Sequence, residues 1–365
     1  MGCFPYSFAS GRWVHSRRTP KYTMSMEHRQ YASCTATQDP YLWEPHASCE
    51  LPQLDRETVC WLLAGSHLLL VGDSTLQMLF YSLALATGAR TSMAPDGLRR
   101  VAHVRCGGGR AGEVTITSVQ NHLLLPRDNG TAMLRRLEKK GHRHVRRQIP
   151  REPWETVEAV NLTLFGGGLH DVSPEGDFLY GQSFYSTRLA AAVRAQGAAR
   201  SAVVALAAPT PGCINHTSPL RLKEARALKS QMLLANRSQA LAADVAGARY
   251  LAQWRVWAGR AAEMQSVAHA EGASFLDLRP FTSTRPDRAL GHTKVANGGK
   301  GTGAPRTPIA ARDRDCVHFC LPGPTDTAAR VVLAWSASQL ATRSSPGTRC
   351  RLSREQCALV SSVTN

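Results

Sequence analysis

The stretch His67-Leu68-Leu69-Leu70-Val71-Gly72-Asp73-Ser74-Thr75-Leu76-Gln77-Met78-Leu79-Phe80-Tyr81-Ser82-Leu83-Ala84-Leu85-Ala86-Thr87-Gly88 decides the fold. Residues 67–71 form a short apolar run closed by glycine, the pattern of a strand buried on both faces. Residues 75–87 are apolar and free of breakers, and Gly88 follows. They read as a buried helix with a glycine C-cap. Gly72-Asp73-Ser74 therefore lies on a strand-to-helix turn. Such a turn exposes a serine hydroxyl, and the helix N-terminus behind it stabilises negative charge. Gly72 suits the turn because it tolerates unusual backbone angles. The other reading of Ser74 is a plain N-cap, helped by Asp73.

Outward from this turn the same alternation repeats. Residues 114–119 (VTITSV), 157–165, 201–207 (SAVVALA) and 273–278 (ASFLDL) read as strands. Residues 187–196, most of 220–270 and 325–342 read as helices. No internal repeat is visible. Strands alternating with helices indicate an α/β fold with a mainly parallel sheet. Ligands of such sheets bind at the carboxyl ends of the strands. Ser74, the run Gly166-Gly167-Gly168-Leu169-His170 and the loop after Ala207 all fall at such ends. Residues 1–60 are loop-rich and read as a segment packed on a catalytic domain at 61–343, with a tail at 344–365. A very basic stretch at 135–151 reads as a surface insertion, and a Gly-rich stretch at 294–307 as a flexible loop.

The 365 residues are 43 % hydrophobic, which suits a globular chain with a sizeable core. Lysine and arginine number 44 against 27 acidic residues, a net charge of +17. That balance is either a solvated basic surface or a preference for anionic partners such as acidic polysaccharide. Ten cysteines occur without a CxxC pair or zinc-like Cys/His spacing, so no metal site is expected. Sequons stand at Asn129, Asn161, Asn215 and Asn236. Asn161 falls within the strand predicted for 157–165, which leaves Asn129, Asn215 and Asn236 as the candidate glycosylation sites. Cysteines and sequons together point to an oxidising, secretory compartment. No stretch approaches the roughly 20 apolar residues of a membrane span, and the first residues lack an apolar signal-peptide core. Either an N-terminal segment is encoded upstream of Met1, or the cysteines are free and the protein is cytosolic.

A second element completes the chemistry. In Asp315-Cys316-Val317-His318 an aspartate stands three residues before a histidine. A carboxylate so placed can orient the ring on one side of a turn, and the far nitrogen can take a proton from Ser74. Alone, the pair could equally sit on the surface.

The segment Asp315-Cys316-Val317-His318-Phe319-Cys320-Leu321-Pro322-Gly323-Pro324-Thr325-Asp326-Thr327 resembles the DCxHWCLPGxxDT signature of the plant trichome-birefringence-like family, within the PC-esterase group of SGNH/GDSL proteins. Phe8 to Val14 after Cys3 resembles the family's opening motif. Trp43-Glu44-Pro45-His46-Ala47-Ser48-Cys49-Glu50-Leu51-Pro52 resembles its W-Q-P-x-x-C-D-L-P, and the stretch from Arg285 to His292 loosely resembles the part ending in Y-R-x-D-A-H. The resemblance runs in order from about Cys3 to Trp335. It implies an SGNH-hydrolase-like three-layer sandwich with a disulfide-stapled N-terminal segment, and a Ser74-His318-Asp315 triad. It implies pairing of Cys3 with Cys49, Cys34 with Cys320 and Cys213 with Cys316; Cys350 and Cys357 could pair locally, and Cys60 and Cys106 stay unassigned. Members of the family are mostly Golgi type II membrane proteins that O-acetylate wall polysaccharides such as xylan.

Two departures stand out. The arginine of the family's G-D-S-L-x-R-x-Q is missing from Gly72-Asp73-Ser74-Thr75-Leu76-Gln77-Met78, and Gly166 to His170 replaces its N-T-G-H-W-W. The oxyanion hole expected here is made by backbone N–H groups of the turn (Gly72, Asp73, Ser74) and of Gly166, Gly167 and Gly168, with Asn121 as a more distant candidate. His170 could bind the acceptor sugar or be structural. The sequence-level expectation is an O-acetyltransferase acting on a polysaccharide. It would have no metal or tightly held cofactor and an acetyl donor of unknown identity. It would not bind nucleic acid, and would meet the membrane only through an N-terminal anchor. The alternatives are an acetyl esterase and a catalytically inactive polysaccharide-binding protein. The expected location is the Golgi lumen, or else outside the cell.

Overall fold

A computed structural model describes residues 10–17, 19, 22, 39–46, 50–95, 97–107, 112–122, 124, 154–167, 172, 177–178, 181–206, 218–243, 248, 251–289 and 316–343. The basic stretch at 135–151 and the Gly-rich stretch at 294–307 lie outside them, as do Asp315, Gly168, His170, Asn129 and Asn215.

A hairpin of β1 (Gly11–His15) and β2 (Tyr41–Pro45) precedes the main sheet. The sheet contains β3 (His67–Gly72), β4 (Arg90–Met93), β5 (Arg99–Val104), β6 (Val114–Gln120), β7 (Leu162–Gly166), β8 (Ser201–Ala205) and β9 (Ser274–Asp277). Its order is β4-β5-β6-β3-β7-β8-β9. The five strands from β6 to β9 are parallel, and β5 and β4 add an antiparallel edge. The helices are α1 (Arg56–Leu63), α2 (Ser74–Ala86), α3 (Phe184–Gln196), α4 (Leu222–Leu234), α5 (Arg237–Ala242), α6 (Leu251–Glu271), α7 (Arg279–Ser283) and α8 (Pro324–Ala341).

The apolar run of β3 is continuous because both faces of the strand are covered. Leu68 and Leu70 join Leu76, Phe80 and Leu83 of α2 and Val332 and Trp335 of α8 in one core cluster. Leu69 and Val71 join Leu189 and Val193 of α3 and Ala261 and Met264 of α6 in another. Alternate residues of one strand thus feed two cores. Helix α2 carries no charged residue, and Thr75 to Ala84 are all buried. Such a helix is stable only inside the molecule. It ends where Gly88 takes a φ of +62°, a conformation that glycine adopts without a Cβ penalty.

The parallel strands in chain order are β3, β6, β7, β8 and β9, and in space they run second, first, third, fourth, fifth. The connection out of β3 runs toward β4, β5 and β6 on one side, and the connection out of β7 runs toward β8 on the other. The crevice outside the carboxyl ends of β3 and β7 is therefore the switch point where open α/β sheets bind ligands.

Three sequence expectations change. The strand predicted from 157 starts at Leu162, after a short 3-10 turn at Trp154–Thr156. Asn161 lies before the strand and is half-buried. Its side chain accepts from the amide of His67 (2.7 Å) while its own amide donates to the His67 carbonyl (2.9 Å). These two bonds start β7 beside β3, a role that apolar periodicity does not reveal. The helix after Gly72 opens at Ser74, and the cap is Asp73. Finally, Cys60 and Cys106 pair with each other across 46 residues, tying α1 to the end of β5. Loop-closure entropy makes such a link worth about 4 kcal/mol at most. Cys316 and Cys320 are also disulfide-bonded, and no described cysteine is free. Their predicted partners Cys213 and Cys34 lie outside the described residues, as do Cys3, Cys49, Cys350 and Cys357.

Candidate active site

Ser74 opens α2 directly off the carboxyl end of β3. Asp73 is the cap: its Oδ1 accepts from the Thr75 amide (3.0 Å) and the Thr75 hydroxyl (2.6 Å). The Ser74 side chain is thereby released from capping. Its Oγ stands 2.6 Å from Nε2 of His318, 244 residues away in the chain. The cap is therefore Asp73, and the half-buried Ser74 hydroxyl faces His318.

Two contacts bring His318 there. Met78 is four residues beyond Ser74 and so on the same face of α2. Its Sδ accepts from the amide of Phe319 at 3.3 Å. Behind the loop, Phe319 forms an antiparallel bridge with Ala289, and the Cys320 amide donates to the Arg288 carbonyl (2.7 Å). Gly323 then starts α8, where a Cβ would meet the Cys320 carbonyl oxygen at 2.1 Å. The glycine of the Leu-Pro-Gly run is thus dictated by a close backbone approach.

The floor of the site is glycine for the same steric reason. A Cβ on Gly72 would lie 2.2 Å from the carbonyl oxygen of Gly166. Gly167, at φ +125°, packs on Asp73, whose Oδ2 would lie 3.1 Å from a Cβ there. That Oδ2 is buried without a hydrogen-bond partner. Strands β3 and β7 are paired in register at Val71 and Phe165, so neither can back away. Gly72→Ala is expected to cost about 2–3 kcal/mol, read as a lower urea midpoint at constant m-value.

Asn121 follows β6, which pairs with β3. It is buried, and its amide donates to the Gly72 carbonyl at 2.7 Å. Strand order thus places Asn121 beside the turn that carries Ser74. The Gly166 and Gly167 backbone lies across β3 from it. Asn236, by contrast, is exposed at the cap of α5, with Oδ1 accepting from the Ser238 amide (2.9 Å).

Beside the turn lies a cleft lined by Thr75, Gly167, Ala205, Leu206, Trp257, Arg260 and Met264. Sequence reasoning missed its α6 wall, since Trp257 and Arg260 sit in a helix with no distinguishing motif. Among the described residues, no group of three or more His, Cys, Asp or Glu side chains is gathered to hold a metal ion.

Asp326 closes the base of α8, accepting from the Tyr22 hydroxyl (2.7 Å) and the Gly323 amide (2.9 Å). Burial pushes its pKa up to about 6, although these two donors pull it down. The folded pKa exceeds the unfolded one, so the folded state holds the extra proton between about pH 4 and about pH 6. Stability from this group is fully present below that window and falls as pH rises through it. An Asp326→Asn variant lacks the titration. The difference in urea midpoint between parent and variant should therefore shift against the parent from pH 4 to pH 6.

The fold and the Ser74–His318 contact define an α/β protein whose strand-end serine is hydrogen-bonded to a histidine, the arrangement needed for acyl transfer. Residues 212–335 match the model of the PC-Esterase family, described as a GDSL/SGNH-like acyl-esterase family found in Pmr5 and Cas1p. The matched part includes Asp315 and His318 and ends within α8; Ser74 lies upstream of it. No curated protein matches. Among solved structures, the cytosolic domain of L. pneumophila FeoB aligns at 12 % identity over 56 % of this chain and 97 % of that one, with a TM-score of 0.20; a likeness at that level does not define a fold. Among the described residues, no helix is long and apolar enough to cross a membrane.

Proposed function

We propose that the protein is a polysaccharide O-acetyltransferase of the trichome-birefringence-like kind, built as an SGNH-like three-layer sandwich and working in the Golgi lumen. The observation that carries the reading is the 2.6 Å contact between Ser74 Oγ and His318 Nε2. His318 takes the Ser74 proton as Oγ attacks the carbonyl of an acetyl donor. The tetrahedral intermediate collapses, the donor's leaving group departs with the proton from His318, and acetyl-Ser74 remains. A sugar hydroxyl then loses its proton to His318, attacks the acyl-enzyme and leaves as an O-acetyl sugar, and Ser74 regains the proton. Asp315 orients the imidazole. The oxyanion sits at the N-terminus of α2, where the Ser74 amide takes no part in the Asp73 cap and the dipole favours negative charge. The match of residues 212–335 to an acyl-esterase family supports ester chemistry, and the net charge of +17 suits an acidic glycan.

Hydrolysis uses the same residues with water in place of the sugar. Product analysis separates the two. Incubation with an activated acetyl ester and xylan-type oligosaccharides should give acetylated sugar by mass spectrometry. Free acetate alone would make the protein an esterase. Glycan binding without any turnover would make it a binding protein.

A further inference from the structure

We propose that Arg288 is a positioning residue for His318, and that it is underpinned from the N-terminal segment through the buried Arg285–Asp39 pair; this rests on the reading of Ser74 and His318 as nucleophile and base. Three residues after His318 are held in place. The Phe319 amide is bound by Met78 of α2. The Cys320 amide is bound by the Arg288 carbonyl at 2.7 Å, and the Pro322 carbonyl accepts from Arg288 Nη2. Arg288 therefore grips the chain after the imidazole with both its backbone and its guanidinium, from the side opposite α2. Its Nε–H is buried without a partner, so among the described residues the Pro322 bond is the hydrogen bond that fixes the guanidinium.

Arg288 itself stands at the end of a short turn, Pro286–Arg288, with its amide on the Arg285 carbonyl (3.2 Å). Arg285 is wholly buried. It makes two bonds to Asp39 (2.7 and 2.8 Å) and two to Asp287 (2.9 and 2.8 Å). Its guanidinium lies 4.6 Å from the Trp13 ring centre and 5.2 Å from that of Tyr41. The hairpin β1–β2 thus packs its rings and Asp39 against the turn that holds the histidine loop. Trp13 adds a bond from Nε1 to the Thr284 hydroxyl at 2.8 Å. None of these groups is bonded to Ser74 or His318, so they act on the reaction only through the placement of the ring.

Misplacing a base by an ångström can cost about a hundred-fold in rate. The test is the kinetics of Ser74 labelling by a fluorophosphonate reporter, with mass spectrometry to locate the label. This reaction needs the hydroxyl activated by its base but no natural substrate. Arg288→Met should lower the maximal inactivation rate about ten-fold or more and leave the half-saturating reporter concentration within about two-fold. Arg288→Lys keeps a charged donor and should recover to within about three-fold of the parent. A purely structural role predicts neither the split nor the rescue. Should Arg288→Met lose its cooperative unfolding transition, Asp39→Asn provides the second arm, with an expected three- to ten-fold loss in the maximal rate. Parent-like labelling of Ser74 in folded Arg288→Met, or in Asp39→Asn where that arm is needed, overturns the positioning role alone. A parent labelled elsewhere than Ser74 overturns the nucleophile assignment, and the positioning role with it.

Discussion

Ser74→Ala should abolish acetyl release from an activated acetyl ester, with a loss on the order of 10⁴-fold or more in kcat. The alanine leaves α2 intact, because the cap is Asp73 and the helix is held by burial of Thr75 to Ala84. The thermal midpoint should accordingly stay within about a degree or two, a surface-scale effect. His318→Ala should cost a similar amount. The double variant should be no worse than either single one, since nucleophile and base act as a unit and their losses do not add. Multiplicative losses would mean that the two side chains work independently despite their 2.6 Å contact. A Ser74→Ala protein that turns over the ester like the parent would remove the nucleophile assignment altogether.

Arg285→Met should have the largest effect on stability, about 3–5 kcal/mol, the usual cost of removing one partner from a buried ion pair. Burial by itself lowers the pKa of Arg285, but Asp39 and Asp287 more than offset this and raise it, so the guanidinium is charged at every working pH. Its side chain is fully buried, and those of Asp39 and Asp287 are 3 % and 8 % exposed. Methionine fills part of the volume but leaves two carboxylates without their cation, and it gives up the contacts over Trp13 and Tyr41. Urea unfolding should show the loss, with little change between low and moderate salt because a buried pair is barely screened. An Asp39→Asn, Arg285→Met double variant should recover part of it, since one orphaned charge is gone. A loss under about 1 kcal/mol for Arg285→Met would mean that the pair is solvated in solution.

Much of the candidate site is written locally in the chain. The turn from β3 into α2 follows from an apolar run, a glycine and a breaker-free helix. Residues a few positions apart determine each of these, through periodicity and steric freedom. The alternation of strands and helices likewise announces a parallel sheet, because each element shows its own burial pattern. The Asp315-to-His318 spacing marks a candidate base for the same reason.

What only the tertiary structure decided are the pairings between distant segments. Ser74 and Asp73 are adjacent, and which of them caps the helix was open until His318 came within hydrogen-bond reach of Ser74. Asn121 came to the turn from β3 into α2 because β6 lies beside β3. Asn161 left the strand to start it, Cys60 found Cys106, and Asp39 found Arg285 across 246 residues. Periodicity reports how exposed a residue is and says nothing of what covers it. Which groups meet across a sheet or between loops depends on strand order and on satisfying each buried charge and amide, and those are properties of the whole packed chain.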